Sequence, residues 1–139
     1  MKRVEISSKG TPNFIGSWFL KDDVICDDII NFFEKNKNLQ HKGTTGKGVN
    51  IQHKKTTDIT INPNKLVEPD YEIFKDYFKK LQECYLDYKN QWPFLNNFLD
   101  KVNIGSFNVQ KYLPGDHFSN LHSERTTLAS LHRVFAFMT

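Results

Sequence analysis

His122 and Glu124 stand two residues apart. Imidazole nitrogen and carboxylate oxygen are both ligands of first-row metal ions. In an extended segment alternate side chains point the same way, with Cα atoms ~7 Å apart. The two groups can therefore converge on one ion. Non-haem Fe(II) oxygenase sites use two His and one carboxylate on one face and leave the other positions open. The pair supplies one of each type. Taken by itself a His-x-Glu pair arises often by chance and reads as a solvent-facing loop pair. His117 precedes it in a turn region and His132 begins the next apolar stretch. These two, with His41 and His53, read as ordinary surface or partly buried histidines.

The elements that must carry the pair come from hydrophobic periodicity. Residues 102–113 read as a long strand, Pro114-Gly115 as its turn, and residues 133–139 as a second, nearly all apolar strand. Further back, residues 14–20 form a candidate first strand, while residues 1–13 are polar and read as loose. Asp22 or Asp23 offers an N-cap. Val24, Ile25, Ile29, Ile30, Phe32 and Phe33 then make an apolar helix face that ends near Asn36 and Asn38. Residues 56–62 alternate and are β-branched, which predicts a strand closed by Pro63. Pro69 sits where a helix begins. Behind it Tyr71, Phe74, Tyr77, Phe78, Leu81, Tyr85 and Tyr88 recur at helical steps to about Asn90. That aromatic stripe reads as core, not as a base-stacking platform. Trp92-Pro93 opens a short helical segment to about Asp100. Helices come mostly first and strands after, which predicts an α+β fold with helices packed on one sheet.

The block from Phe107 onward resembles the Fe(II)/2-oxoglutarate-dependent dioxygenases of the prolyl 4-hydroxylase type. Their double-stranded β-helix opens with a strand ending in Tyr-x-x-Gly, then His-x-Asp, then an Arg that leads a strand finishing in Tyr-Leu-Asn. Here Tyr112-Leu113-Pro114-Gly115, His122-Ser123-Glu124 and the stretch from Arg133 to Thr139 follow that order. Residues 18–33 and 54–61 are more loosely similar. The resemblance implies a jelly-roll, cupin-like core that begins at about 102–139, supported by helices over about 14–100, in a single domain. It implies Fe(II) held by His122 and Glu124, with 2-oxoglutarate and O2 as cosubstrates and ascorbate as reductant. Tyr112 would line the 2-oxoglutarate pocket. Its strand neighbours Asn108 and Gln110 share its face by period two. Met138 and Ala136 would share the pocket side of the next strand, although Ala136 reads better as barrel core. Arg133 would lie near the substrate mouth, and Arg125 reads as a surface charge. The reaction implied is hydroxylation of an unactivated C–H bond, of a prolyl or other amino-acid residue, with release of succinate and CO2. The substrate itself, a peptide, a protein or a small molecule, is not written in these residues.

Two departures from that pattern matter. Glu124 stands where the family has Asp, one methylene longer. The family's distal His and its 2-oxoglutarate-binding Arg or Lys lie tens of residues beyond the Tyr-Leu-Asn strand. The expectation is therefore an N-terminal part of a longer enzyme. The alternative is an inactive fragment or relative acting as a binding module. A cupin-type site wants His-x-His with a Glu a few residues on, and His122-Ser123-Glu124 lacks the second His.

Composition bounds the remaining classes. The 139 residues suit one domain, and 12 Phe with 5 Tyr give an aromatic core. Net charge is +3, from 19 Lys+Arg against 16 Asp+Glu, which is too dispersed to argue for nucleic acid. Glycines 43, 46 and 48 miss the spacing of a phosphate loop, so residues 39–50 read as a mobile surface loop; the resemblance implies that 41–50 lies near the substrate, where it would be a lid or a mere connector. Cys26 and Cys84 fall in helical patterns and in no CxxC, and read as reduced thiols of a cytoplasmic protein. No apolar run matches a secretory signal or a membrane span.

Overall fold

The computed structural model describes residues 1–6, 13–98, 102–125 and 127–139. The fold is mixed α+β, with small antiparallel sheets and no closed barrel among the described residues. In chain order the strands are β1 (Lys2–Val4), β2 (Ser17–Phe19), β3 (His41–Lys42), β4 (Lys54–Lys55), β5 (Thr57–Ile61), β6 (Phe107–Lys111) and β7 (His117–Phe118). The α-helices are α1 (Asp23–Lys35), α2 (Glu72–Gln91) and α3 (Leu95–Phe98). The chain divides into two compact units. One is Met1–Gln40 with Ile59–Val109, and the other is His41–Asp58 with Gln110–Thr139.

The first, helical unit is built on rings. The Asp22 carboxylate accepts from the Ile25 N–H and starts α1, as an N-cap does. Asn36 stops the helix, and its side-chain amide donates to the Phe32 carbonyl. The three-residue turn Pro69–Tyr71 leads into α2. Phe32, Phe33, Ile59, Ile61 and Phe74 form the buried core, with Ile29, Tyr71, Phe78, Phe107 and Val109 packed around it. Phe74 meets Phe32 edge-on at 5.1 Å and Phe107 at 5.5 Å, the arrangement ring quadrupoles favour. The alternation in β5 explains the burial: Ile59 and Ile61 are buried, whereas Thr60 between them is exposed and donates to Asn108 Oδ1 at 2.7 Å. Trp18 on β2 donates its indole N–H to Asp87 on α2, and Arg3 on β1 pairs with the same carboxylate at 3.2 Å.

Several expectations change. Lys2–Val4, read as loose, pairs antiparallel with Ser17–Phe19. The strand expected over 14–20 is confined to β2, and the one expected over 102–113 to β6. Residues 133–139 form no β-strand. Apolar character fits a residue for a sheet, but a strand also needs a neighbouring ladder in register. Val24 and Ile30, assigned to the apolar face of α1, are 69% and 58% exposed. The expected end of the short helix near Asp100 lies outside the described residues.

The second unit is built on short strands, turns and charges. Strand β3 pairs with β5, with His41 opposite Asp58. Strand β4 pairs with β7, with Lys54 opposite Phe118 and Lys55 opposite His117. The Pro114-Gly115 turn is present, and Gly115 supplies the positive φ of 86° that a side chain resists. Asp116 closes that turn: its Oδ2 accepts from the Leu113 N–H at 2.9 Å while its own N–H donates to the Leu113 carbonyl.

Candidate metal half-site

The second unit begins from the period of two in residues 54–58. Lys54, Thr56 and Asp58 fall on one side of the chain, and all three are buried. Asp58, only 1% exposed, is satisfied from three directions. Lys54 Nζ lies 2.8 Å from Oδ2, the Thr56 hydroxyl donates to Oδ1 at 2.6 Å, and the Gln110 amide donates to Oδ2 at 3.0 Å. A buried carboxylate tolerates its position only with such a set of donors. Gly43 is part of the same packing. Its N–H donates to the Thr56 carbonyl at 2.9 Å, and a Cβ there would collide with the Thr56 hydroxyl. The loop at 39–50 is thus anchored at one end, while Thr45 and Gly48 exchange backbone hydrogen bonds at its tip.

The buried cluster touches the candidate pair, His122 and Glu124, through one ring. Lys54 Nζ lies 5.4 Å from the centroid of Phe118, and the His122 imidazole stacks on the same phenyl group at 4.4 Å with an interplanar angle of 26°. His122 Nδ1 is 3.0 Å from the Asn120 carbonyl. A carbonyl only accepts, so Nδ1 carries a proton in that contact. Nε2 faces Glu124 Oε1 at 3.5 Å. Two ligands at right angles on one ion, each ~2.1 Å away, lie ~3.0 Å apart. A shift of about half an ångström, small for two half-exposed side chains, would bring the pair to that spacing. An imidazole with its Nδ1–H tied to a carbonyl is the usual second shell of a metal-bound histidine. The donor set fits two of the three protein positions of a two-His-one-carboxylate site.

Arg133 is brought back to this pair by a local turn. Thr127 and Ser130 form a capping box around the turn Leu128–Ser130, and the Arg133 N–H donates to the Ser130 carbonyl at 3.1 Å. Its guanidinium then reaches Glu124 Oε2 at 2.7 Å. Arg133, expected near a substrate mouth, thus sits on the carboxylate of the pair. Oε2 is occupied by Arg133, and Oε1 is the oxygen turned to His122.

The other expected residues fall in several places. Tyr112 is 45% exposed, and its hydroxyl pKa is raised, first by partial burial and then by the negative charge of Asp58. Gln110 is committed to Asp58. Asn108 belongs to the helical unit, where it accepts from Thr60. Met138 is 95% exposed. His117 Nε2 lies 3.1 Å from the Gln52 carbonyl. Among the described residues no three His, Cys, Asp or Glu side chains are grouped for a metal ion. The Lys54–Thr56–Asp58 cluster was missed by the sequence reading, although its period-two spacing of polar residues was visible.

No protein-family model, curated protein or solved structure matches this chain significantly. Among the described residues no helix is long and apolar enough to cross a membrane.

Proposed function

We propose that His122 and Glu124 are two of the three iron ligands of an Fe(II)- and 2-oxoglutarate-dependent dioxygenase of the prolyl 4-hydroxylase type, built on a double-stranded β-helix core. The observation that carries this reading is the orientation of His122: Nδ1 is bound to the Asn120 carbonyl and Nε2 faces the Glu124 carboxylate at 3.5 Å. The order Tyr-x-x-Gly, His-x-carboxylate, Arg supports it further.

Bound iron would supply, with O2 as oxidant and 2-oxoglutarate as cosubstrate, oxidative decarboxylation to succinate and CO2 coupled to hydroxylation of an unactivated C–H bond of a prolyl or other amino-acid residue, with ascorbate as reductant. The chain's own residues do the holding. His122 offers Nε2, the ring nitrogen turned to Glu124. Glu124 offers one oxygen, and Arg133 balances the charge of the other. Tyr112 directly follows β6 and leads into this turn, as a candidate wall of the 2-oxoglutarate pocket. Met138 is the other residue of this unit that the resemblance assigns to it.

The Arg133–Glu124 ion pair favours a second reading. An arginine that neutralises the carboxylate also suits a surface ion pair on a non-catalytic binding module. Turnover separates the two. The dioxygenase reading expects Fe(II)-dependent conversion of 2-oxoglutarate to succinate, abolished by His122→Ala. Succinate formation indifferent to His122→Ala would refute it.

A further inference from the structure

The ring that stacks on His122 belongs to neither ligand, and its position is fixed from behind. Phe118 lies opposite Lys54 in the β4–β7 register. The Lys54 ammonium sits 5.4 Å from the ring centroid and is itself pinned at 2.8 Å to Asp58. One residue on, the Ser119 N–H donates to the His53 carbonyl at 2.9 Å, so the backbone on that side is tied as well. His122 follows in a stretch outside any strand, and its side chain is 48% exposed. The Asn120 carbonyl and Glu124 meet the edge of that imidazole, and neither covers its face. The phenyl group at 4.4 Å and 26° covers it.

We infer that Phe118 is a positioning residue for the metal pair: its ring holds the His122 imidazole in the plane where Nδ1 reaches the Asn120 carbonyl and Nε2 faces Glu124. The role rests on the metal reading above and extends it. Phe118 touches no metal. It acts through His122, and the buried Lys54–Asp58 pair acts through Phe118. The path from the buried Asp58 carboxylate to the His122 imidazole is therefore three contacts long. Outer-shell partners of this kind typically change metal affinity by ~10–100-fold. Leucine at 118 would keep an apolar body in β7 and remove the flat face. Tyrosine would keep the face and add a hydroxyl.

The test uses the whole chain and two readouts. One is the tautomer of His122, read from long-range proton–nitrogen NMR correlations without metal. The other is the dissociation constant for Mn(II), read by electron paramagnetic resonance. In the wild type His122 is held as the Nδ1–H form. Phe118→Leu converts it to a mixture of both forms and weakens Mn(II) binding by about tenfold. Phe118→Tyr restores both, which excludes a general loss of folding as the cause. Wild-type Mn(II) binding with the same tautomer and the same affinity in Phe118→Leu overturns the positioning role alone. Absence of Mn(II) binding by the wild type overturns the metal reading, and the ligand-positioning role with it.

Discussion

The helical unit closes over aromatic rings, whereas the second unit closes over an ion pair. Phe74, Ile59 and Ile61 at the centre of the first have no polar atoms in their side chains, so their burial is stabilised by area and contact alone. At the centre of the second, Asp58 is just as buried but must be matched donor by donor. The difference teaches where chemistry can sit. A core of rings forgives a small shift. A core of charges fixes directions, and the candidate metal pair belongs to the unit whose core fixes directions.

The comparison can be broken most severely at its two centres. Phe74→Ala removes a ring shared by Phe32 and Phe107 and is expected to cost about 3–5 kcal/mol, read by denaturant unfolding. A cost below about 1 kcal/mol would mean that the ring cluster is not the core. Lys54→Met strands the Asp58 carboxylate and is expected to cost a similar ~3–5 kcal/mol. The double change Lys54→Met with Asp58→Leu should recover most of that loss, because both charges then leave together. A double variant as unstable as the single one would show that the cluster is held by something other than its charge balance. No such rescue by pairing exists for Phe74, and that asymmetry is the sharpest form of the contrast.

A smaller effect concerns pH. The Leu113 N–H, together with Lys55 at 2.9 Å, holds the Asp116 carboxyl below its usual range. A depressed carboxyl stabilises the fold above the unfolded pKa of about 4, and the contribution disappears as pH falls through the lower folded value. The protection factor of the Ser119 amide, its exchange rate relative to the unfolded chain at the same pH, should therefore fall in acid, and Asp116→Asn should flatten that pH dependence. An unchanged pH profile in Asp116→Asn would remove Asp116 from the account.

Much of the helical unit was legible beforehand because its signals are local. Asp22 caps α1, the aromatic stripe of α2 repeats at helical steps, and the β-branched run gives β5. What escaped was non-local. Lys2–Val4 is short and polar and becomes a strand only because Ser17–Phe19 lies beside it. Residues 133–139 carry a strand's composition without becoming one. Lys54, Thr56 and Asp58 look like surface until the donors that satisfy Asp58 are in place. The pair His122 and Glu124 was readable by type and spacing, but Arg133 meets Glu124 across nine residues and a capped turn, and Phe118 meets His122 through a loop. Spacing alone encodes neither contact.

The most direct measurement is a Mn(II) titration of the chain followed by calorimetry, with His122→Ala and Glu124→Ala beside the wild type. The account predicts a saturable one-to-one isotherm for the wild type, weakened by about tenfold or more when either side chain is removed. Binding that is equal in all three proteins, or absent from the wild type, would contradict it.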